Sequence, residues 1–153
     1  MIKNILSIIL VLLIIIIGAG CSNNEPQSVK LTNNDKDIVI ELSTDSDYLI
    51  KKKNNTEYEV YKDDDKYAVS YFISEEEYDR YAEETHGTEG CTIKGVGEVN
   101  GIAYMFFKYE ANNEVQYNRI IYVDDGIYMF LSCYTDDEDI AKEIFYDLSF
   151  SIK

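Results

Sequence analysis

The sequence predicts an α+β fold in which an antiparallel sheet of about six to eight strands is combined with two helices. Three observations support this class. Strand-forming residues are abundant, with 14 tyrosines among the 153 residues. Short polar turns separate the extended segments, and the strongest turn signal is the dipeptide Asn100-Gly101. Two further segments space their apolar residues with the 3.6-residue period of a helix.

The first half of the chain contains four predicted strands and the first helix. The strands are residues 37–42, 48–51, 57–61 and 66–72. Ser74 and Glu77 then form a capping box, in which the hydroxyl accepts from a first-turn amide and the carboxylate reaches back to the cap. Tyr78 and Tyr81 follow on one helical face. We expect this helix to end near Gly87.

The second half contains four more strands and the second helix. The strands are residues 91–99, 101–110, 114–124 and 127–134, joined by two-residue turns. A second capping box pairs Thr135 with Glu138 and predicts that the helix starts at that point. Its apolar stripe is Ile140, Ala141, Ile144, Phe145 and Leu148. Residues 150–153 are predicted to be extended.

The last hairpin also has a predicted register. If residues 125–126 form the turn, Asp124 pairs with Ile127 and Val123 pairs with Tyr128. One face then carries Ile120, Tyr122, Met129, Leu131 and Cys133. The other face carries Tyr117, Arg119, Ile121, Tyr128, Phe130, Ser132 and Tyr134. We expect the first of these faces, which is the more apolar, to meet a helix.

Four segments carry a resemblance to a known family. They are D-I-V-I-E-L, K-Y-A-V-S-Y-F leading into S-E-E-E-Y, G-I-A-Y-M-F-F-K-Y, and D-I-A-K-E-I-F-Y-D-L-S-F-S-I. Over most of residues 29–153 the chain resembles the PsbP-like or Mog1-like domains of small bacterial lipoproteins. The resemblance implies the same α+β fold and a function that consists of binding other proteins without catalysis. The Pro and Trp that often follow the first strand in that family are missing here.

The N-terminal 20 residues have the pattern of a secretory signal. Lys3 supplies a positive charge, residues 5–17 are almost entirely Ile, Leu and Val, and three small residues precede Cys21. The small residues before the cysteine resemble the lipobox of bacterial lipoproteins, although Gly18 stands where that family usually has Leu. The resemblance implies that Cys21 receives a diacylglyceryl group and becomes the new N-terminus.

A lipid on Cys21 would place the rest of the chain outside the cell membrane. Residues 21–28 are then a tether, and residues 29–153 form a single domain on the outer face. Two alternatives stay open: an uncleaved anchor, for which the apolar run is short against a hydrocarbon core of about 30 Å, and an ordinary secretory signal without lipid.

The charge of the chain limits its partners. The net charge is −15, and it becomes one unit more negative once the signal with Lys3 is removed. This charge disfavours nucleic acid as a partner, because phosphates require a basic surface, so we expect no nucleic acid to bind. It would suit a cationic partner, although solubility alone also explains it.

Residue types that carry chemistry are few. Cys91 and Cys133 can form a disulfide outside the membrane, or remain two reduced thiols packed like small apolar residues. His86 is the only histidine, and no cysteine motif for a metal is present, so we expect no metal and no cofactor. Calcium at Asp63-Asp64-Asp65 or Asp124-Asp125 is a weaker alternative, because these aspartates also suit turns.

No nucleophile–base pattern is present, and the acidic pairs lie in turns or first helical turns. We therefore expect no enzymatic activity. The expected function is that of a lipid-anchored protein-binding or accessory module whose partner is an envelope protein. One candidate binding face consists of Tyr117, Arg119, Tyr128 and Tyr134, because Tyr and Arg are enriched at interfaces. The alternatives are a hydrolase using carboxylates alone and a protective immunity lipoprotein that binds a cationic toxin.

Overall fold

A computed structural model describes residues 27–99 and 101–153. The predicted signal, most of the tether including Cys21, and Asn100 lie outside the described residues. The strands are β1 (Ser28–Asn33), β2 (Lys36–Leu42), β3 (Leu49–Lys52), β4 (Glu57–Lys62), β5 (Asp65–Ile73), β6 (Cys91–Val99), β7 (Ile102–Ala111), β8 (Glu114–Asp124), β9 (Ile127–Cys133) and β10 (Leu148–Ile152). The helices are α1 (Glu75–Gly87) and α2 (Glu138–Asp147).

The strands form two antiparallel sheets. The larger has seven strands in the order β3-β4-β5-β9-β8-β7-β6, and the smaller has three in the order β1-β2-β10. The predicted α+β class, with an antiparallel sheet of about seven strands and two helices, is confirmed.

Several hairpins turn through two residues with positive φ. Both loop residues have positive φ at 34–35, 63–64 and 112–113, and all six are Asn or Asp. Two-residue turns of this kind match the twist of antiparallel strands, and Asn and Asp tolerate the left-handed conformation better than other residues with a side chain. The acidic turn at Asp63-Asp64 therefore has a local structural cause.

The seven-stranded sheet has two differently covered faces. One, the sealed face, packs against the three-stranded sheet and α2, so that Leu131 shares one core with Ile40 and Ile144. The other, the open face, packs against α1, where Tyr78 stacks on Tyr128 at 4.5 Å between ring centroids. Every residue of β9 is buried, as expected for a central strand covered on both sides.

The predicted register of the last hairpin is wrong beyond its first pair. Asp124 pairs with Ile127 as expected, but a bulge then leaves Val123 without a partner and pairs Tyr122 with Tyr128. One extra residue moves every following side chain of β8 to the other face relative to β9. Residues Tyr117, Arg119 and Ile121 therefore share the sealed face with Met129, Leu131 and Cys133.

Three elements differ from the sequence prediction by more than one residue. Strand β10 begins at Leu148, which the sequence had placed in the apolar stripe of the second helix, and not at residue 150. Helix α2 begins at Glu138 rather than at Thr135, because the Asp137 carboxylate is its N-cap and accepts from the amides of Asp139 and Ile140. Strand β1 was not predicted, and it starts at Ser28, within the expected tether. At the first helix the predicted capping box of Ser74 and Glu77 is confirmed.

Candidate binding site

A pocket of about 520 Å³ lies between α1 and the open face of the seven-stranded sheet. Helix α1 contributes Tyr81, Glu84 and Thr85 to its wall. Four strands that are adjacent in the sheet, β5, β9, β8 and β7, form its floor. The volume falls within the range of about 300–1,000 Å³ that is typical of small-molecule sites. We call this cavity the α1 pocket.

Two buried polar side chains form the centre of the floor. Asn118 of β8 is 2% exposed and Ser132 of β9 is 3% exposed, and the two residues are direct cross-strand partners. Asn118 Oδ1 and Ser132 Oγ make no hydrogen bond to any residue that the structure describes. Buried polar atoms in folded proteins almost always have a partner, so two oxygens with unused hydrogen-bonding capacity belong to residues that line the pocket.

Aromatic rings surround this polar centre. Phe130 lies in the middle of the cluster, with the ring centroids of Tyr81, Tyr71 and Phe107 at 4.9, 5.5 and 6.3 Å from its own. Burial raises the pKa of Tyr71 to about 12, so its phenol is neutral at physiological pH. This part of the wall of the α1 pocket is therefore aromatic and uncharged.

Among the described residues that line the α1 pocket, one carries a charge, and it is acidic. That residue is Glu84, and none of the others is basic. The Glu84 carboxylate belongs to an exposed residue on the helix rather than to the floor. Burial raises the pKa of the half-buried Cys91 thiol, which also lines the pocket and is therefore largely protonated at neutral pH. The lining contains no described group that would neutralise an anion.

The mouth of the α1 pocket opens towards a second, more polar cavity of about 1020 Å³. Tyr109, Gln116 and Tyr134 line both cavities. Tyr134 is 51% exposed, and the ammonium of Lys66 lies 5.8 Å from the centre of its ring. The two cavities are therefore neighbouring compartments separated by a polar and aromatic rim.

The four residues of the predicted binding face do not form one exposed surface. Tyr117 and Arg119 are buried on the sealed face, and Tyr128 is buried on the open face. Tyr134 alone among the four is exposed, and it lies at the rim of the α1 pocket. The bulge at Val123 separates the set, because it turns Tyr117 and Arg119 away from the side on which Tyr128 lies.

Arg119 instead contacts the end of α2 and an aromatic ring in the core. Its guanidinium donates a hydrogen bond to the carbonyl oxygen of Phe145 in the last turn of α2 and lies 4.5 Å from the ring centre of Tyr104. A cation at a helix C-terminus satisfies an orphan carbonyl and interacts favourably with the helix dipole. Burial lowers the pKa of this guanidinium from its ordinary, very high value.

The disulfide between Cys91 and Cys133, one of two outcomes expected from the sequence, is not formed. Both thiols are free, and they belong to clusters on opposite faces of the sheet. The strand order places β8 and β7 between β9 and β6, so the two cysteines are separated by three strand spacings, or about 14 Å. A disulfide requires Cα atoms within about 7 Å, so the fold prevents this bond.

The described carboxylates with shifted pKa values are held in their charged form. A hydrogen bond from Lys36 lowers the pKa of Asp124, and hydrogen bonds from Lys142 and Lys94 lower that of Glu138. A carboxyl general acid requires the opposite, a raised pKa. Across residues 27–99 and 101–153, no group of three or more His, Cys, Asp or Glu side chains is placed to hold a metal ion.

Neither helix in the described part of the chain has the length and apolar character needed to cross a membrane. Comparison of the chain with protein-family models, with curated proteins and with solved structures finds no match. The resemblance to PsbP-like or Mog1-like domains therefore stays a prediction. The function is therefore inferred from the residues of the α1 pocket.

Sequence reasoning did not identify Asn118 and Ser132. Each is a polar residue inside a strand whose neighbours are otherwise mostly apolar, in Y-N-R-I-I-Y for β8 and F-L-S-C for β9. A small polar residue in a central strand is a signal of a buried polar site, because such a position otherwise carries an apolar side chain. The sequence contained this signal, but the face on which each residue lies depended on the bulge.

Proposed function

We propose that this protein is a lipid-anchored, non-catalytic binding module that holds a small ligand in the α1 pocket, outside the cell membrane. The observation that carries the proposal is the pair of unpartnered atoms at the pocket floor, Asn118 Oδ1 and Ser132 Oγ. Leaving such atoms without a partner costs free energy, which a bound molecule that hydrogen-bonds to both would recover.

The anchor in this proposal rests on the sequence, on Cys21 and the apolar run before it. Two or more acyl chains at Cys21 would hold the domain stably, whereas a single chain binds a membrane only marginally. A concave pocket on a domain tethered to the membrane suits a molecule captured at the cell surface. The envelope protein expected as a partner from the sequence stays a prediction.

Native mass spectrometry tests whether the pocket is occupied. We expect the full-length protein, extracted in mild detergent from the membranes of its own cells, to carry a bound mass that denaturation releases. Val69→Phe should remove this mass, because Val69 lines the α1 pocket and the added ring would fill it. Val96→Phe is the matched control, since it makes the same change on a 71% exposed residue of β6.

Two results would contradict the site. A protein that carries no releasable mass would show that the α1 pocket holds no small ligand. A mass that disappears equally in Val69→Phe and Val96→Phe would place the ligand elsewhere.

A separate experiment tests the anchor. Cys21→Ala should abolish incorporation of a fatty-acid analogue and processing at this position, because no other thiol is available there. Labelling and membrane fractionation measure both effects. A Cys21→Ala protein that is still labelled and processed would refute the lipoprotein assignment, and one that loses label but stays in the membrane would indicate an uncleaved N-terminal anchor.

A further inference from the structure

The hydrogen-bonding groups on the floor of the α1 pocket define the polar end of a ligand. Asn118 carries a carboxamide, with an acceptor oxygen beside a donor nitrogen, and Ser132 carries a hydroxyl that both donates and accepts. The two residues are direct partners across β8 and β9, so their Cβ atoms lie roughly 4.5–5.5 Å apart. A planar group that presents a donor next to an acceptor can satisfy both side chains at once.

The burial of this floor excludes a charged polar end. Asn118 and Ser132 are almost fully buried, and none of the described lining residues is basic, so an anion placed there would lack a counter-charge. A cation would also be poorly compensated, because the lining carboxylate, Glu84, belongs to an exposed residue of α1 rather than to the floor. Burial of an uncompensated charge costs far more than burial of a neutral group that forms hydrogen bonds.

The aromatic wall defines the rest of the ligand. The rings of Tyr81 and Phe130 are stacked with an interplanar angle of 27°, and Tyr71 lies at 31° to the same Phe130 ring. An aromatic wall of this kind favours a flat apolar molecule as the rest of the ligand.

We infer that the α1 pocket binds an uncharged, planar aromatic molecule whose carboxamide-like edge pairs with Asn118 and Ser132. This inference rests on the proposed function and names the chemical class of its ligand. An open amide and a ring lactam both fit this description, because both present the same donor beside an acceptor.

Four small probes of nearly the same shape test the class. Benzamide has the carboxamide edge, benzoate is its anionic counterpart, benzamidine is its cationic counterpart, and toluene has no polar end. Binding is measured on the full-length protein in mild detergent as protection of Cys91 against alkylation, resolved by peptide mass spectrometry. Cys91 lines the pocket, whereas Cys133 is buried on the sealed face and serves as an internal control for unfolding.

We expect benzamide to protect Cys91 with an apparent Kd at least about tenfold lower than those of the other three probes, since one well-formed hydrogen bond to a buried group corresponds to about that factor. Asn118→Leu should raise the Kd for benzamide about tenfold, and Ser132→Ala should raise it several-fold. Ser70→Ala is the matched control for the serine variant. Ser70 is equally buried with an unpartnered hydroxyl, but it lies on the neighbouring strand β5 and does not line the pocket.

The outcomes separate the inference from the proposed function. Protection by benzoate or benzamidine as strong as that by benzamide would overturn the uncharged class, and equal protection by toluene would overturn the role of the polar floor. A Kd for benzamide that does not change in Asn118→Leu would also overturn the role of the polar floor. If no probe protects Cys91 while the native protein carries a releasable mass, the ligand class is wrong and the site stands. If both are absent, both fail.

Discussion

Asn118 and Arg119 are neighbours on β8 whose side chains lie on opposite faces of the sheet, and the two buried polar groups have different surroundings. Both residues are at most 3% exposed. On the sealed face the guanidinium of Arg119 donates a hydrogen bond to the Phe145 carbonyl and lies over the Tyr104 ring, while its Nε has no partner among the described residues. On the open face Asn118 lines a cavity, and its buried carboxamide oxygen has no partner among the described residues. Polar burial stabilises the fold where the chain itself supplies the partner, and it leaves capacity for a ligand where the chain does not.

The same contrast exists between two isoleucines. Ile121 lies on the sealed face in the core shared by both sheets and α2, and Ile120 lies on the open face beneath α1. The sealed face is covered by more elements, so the residues around a truncated side chain can move less to fill the space it leaves. The matched pair therefore measures how tightly each face is packed.

The largest expected effect comes from truncating this pair. Ile121→Ala should lower the free energy of unfolding by about 3–5 kcal/mol, because the cavity it leaves is enclosed by packed elements. Ile120→Ala should cost about 2–3 kcal/mol, because the single helix that covers it can move inward. Urea unfolding of both variants measures the difference. An equal or reversed order would show that the open face is packed as tightly as the sealed face.

Truncation of Arg119 and of Asn118 should show the next largest difference in the free energy of unfolding. Arg119→Ala should cost about 2–3 kcal/mol, since it removes a charge-assisted hydrogen bond and the packing of a long side chain, and leaves the Phe145 carbonyl without its donor. Asn118→Ala should cost about 1 kcal/mol or less, because its carboxamide oxygen has no partner to lose. Thermal and urea unfolding give both values, and a more costly Asn118 variant would contradict the contrast between the faces.

The smallest effect concerns two tyrosines, the buried Tyr48 and the half-buried Tyr71, and it appears only at alkaline pH. Burial raises the pKa of Tyr48 and of Tyr71 from 10.0 to about 12. Between these values the unfolded chain loses the protons first, so the folded protein binds more protons than the unfolded one. The stability contributed by the neutral phenols is therefore complete below pH 10 and decreases as the pH rises towards about 12.

Unfolding free energies measured across this range, with tyrosinate absorbance as a second signal, test the prediction. Tyr48→Phe and Tyr71→Phe should each make the alkaline decline shallower, which separates these two phenols from the general repulsion of a chain with a net charge of −15. Variants that decline as steeply as the parent protein would show that neither phenol is responsible.

Much of the fold followed from local patterns, whereas the candidate site did not. Of the four residues of the predicted binding face, Tyr134 alone lies at the α1 pocket. The prediction placed Tyr117 and Arg119 beside Tyr128 because it counted residues back from the turn. The bulge at Val123 shifts the pairing by one residue, so these side chains lie on the face opposite to the predicted one. The sequence of this hairpin does not indicate the bulge, since Val123 is an ordinary strand residue.

The sequence by itself determined the α+β class, the Asn and Asp turns at 63–64 and 112–113, the capping box of α1 and the part of the apolar stripe of α2 that runs from Ile140 to Phe145. These features depend on residues within one or two turns of each other, so composition and spacing are sufficient to predict them. Tertiary structure alone decided the pairing of β1, the face on which each β8 side chain lies, the distance between Cys91 and Cys133, and the cavity beside Asn118 and Ser132. A cavity is the space between elements that are distant along the chain, and its shape depends on how all of them pack together.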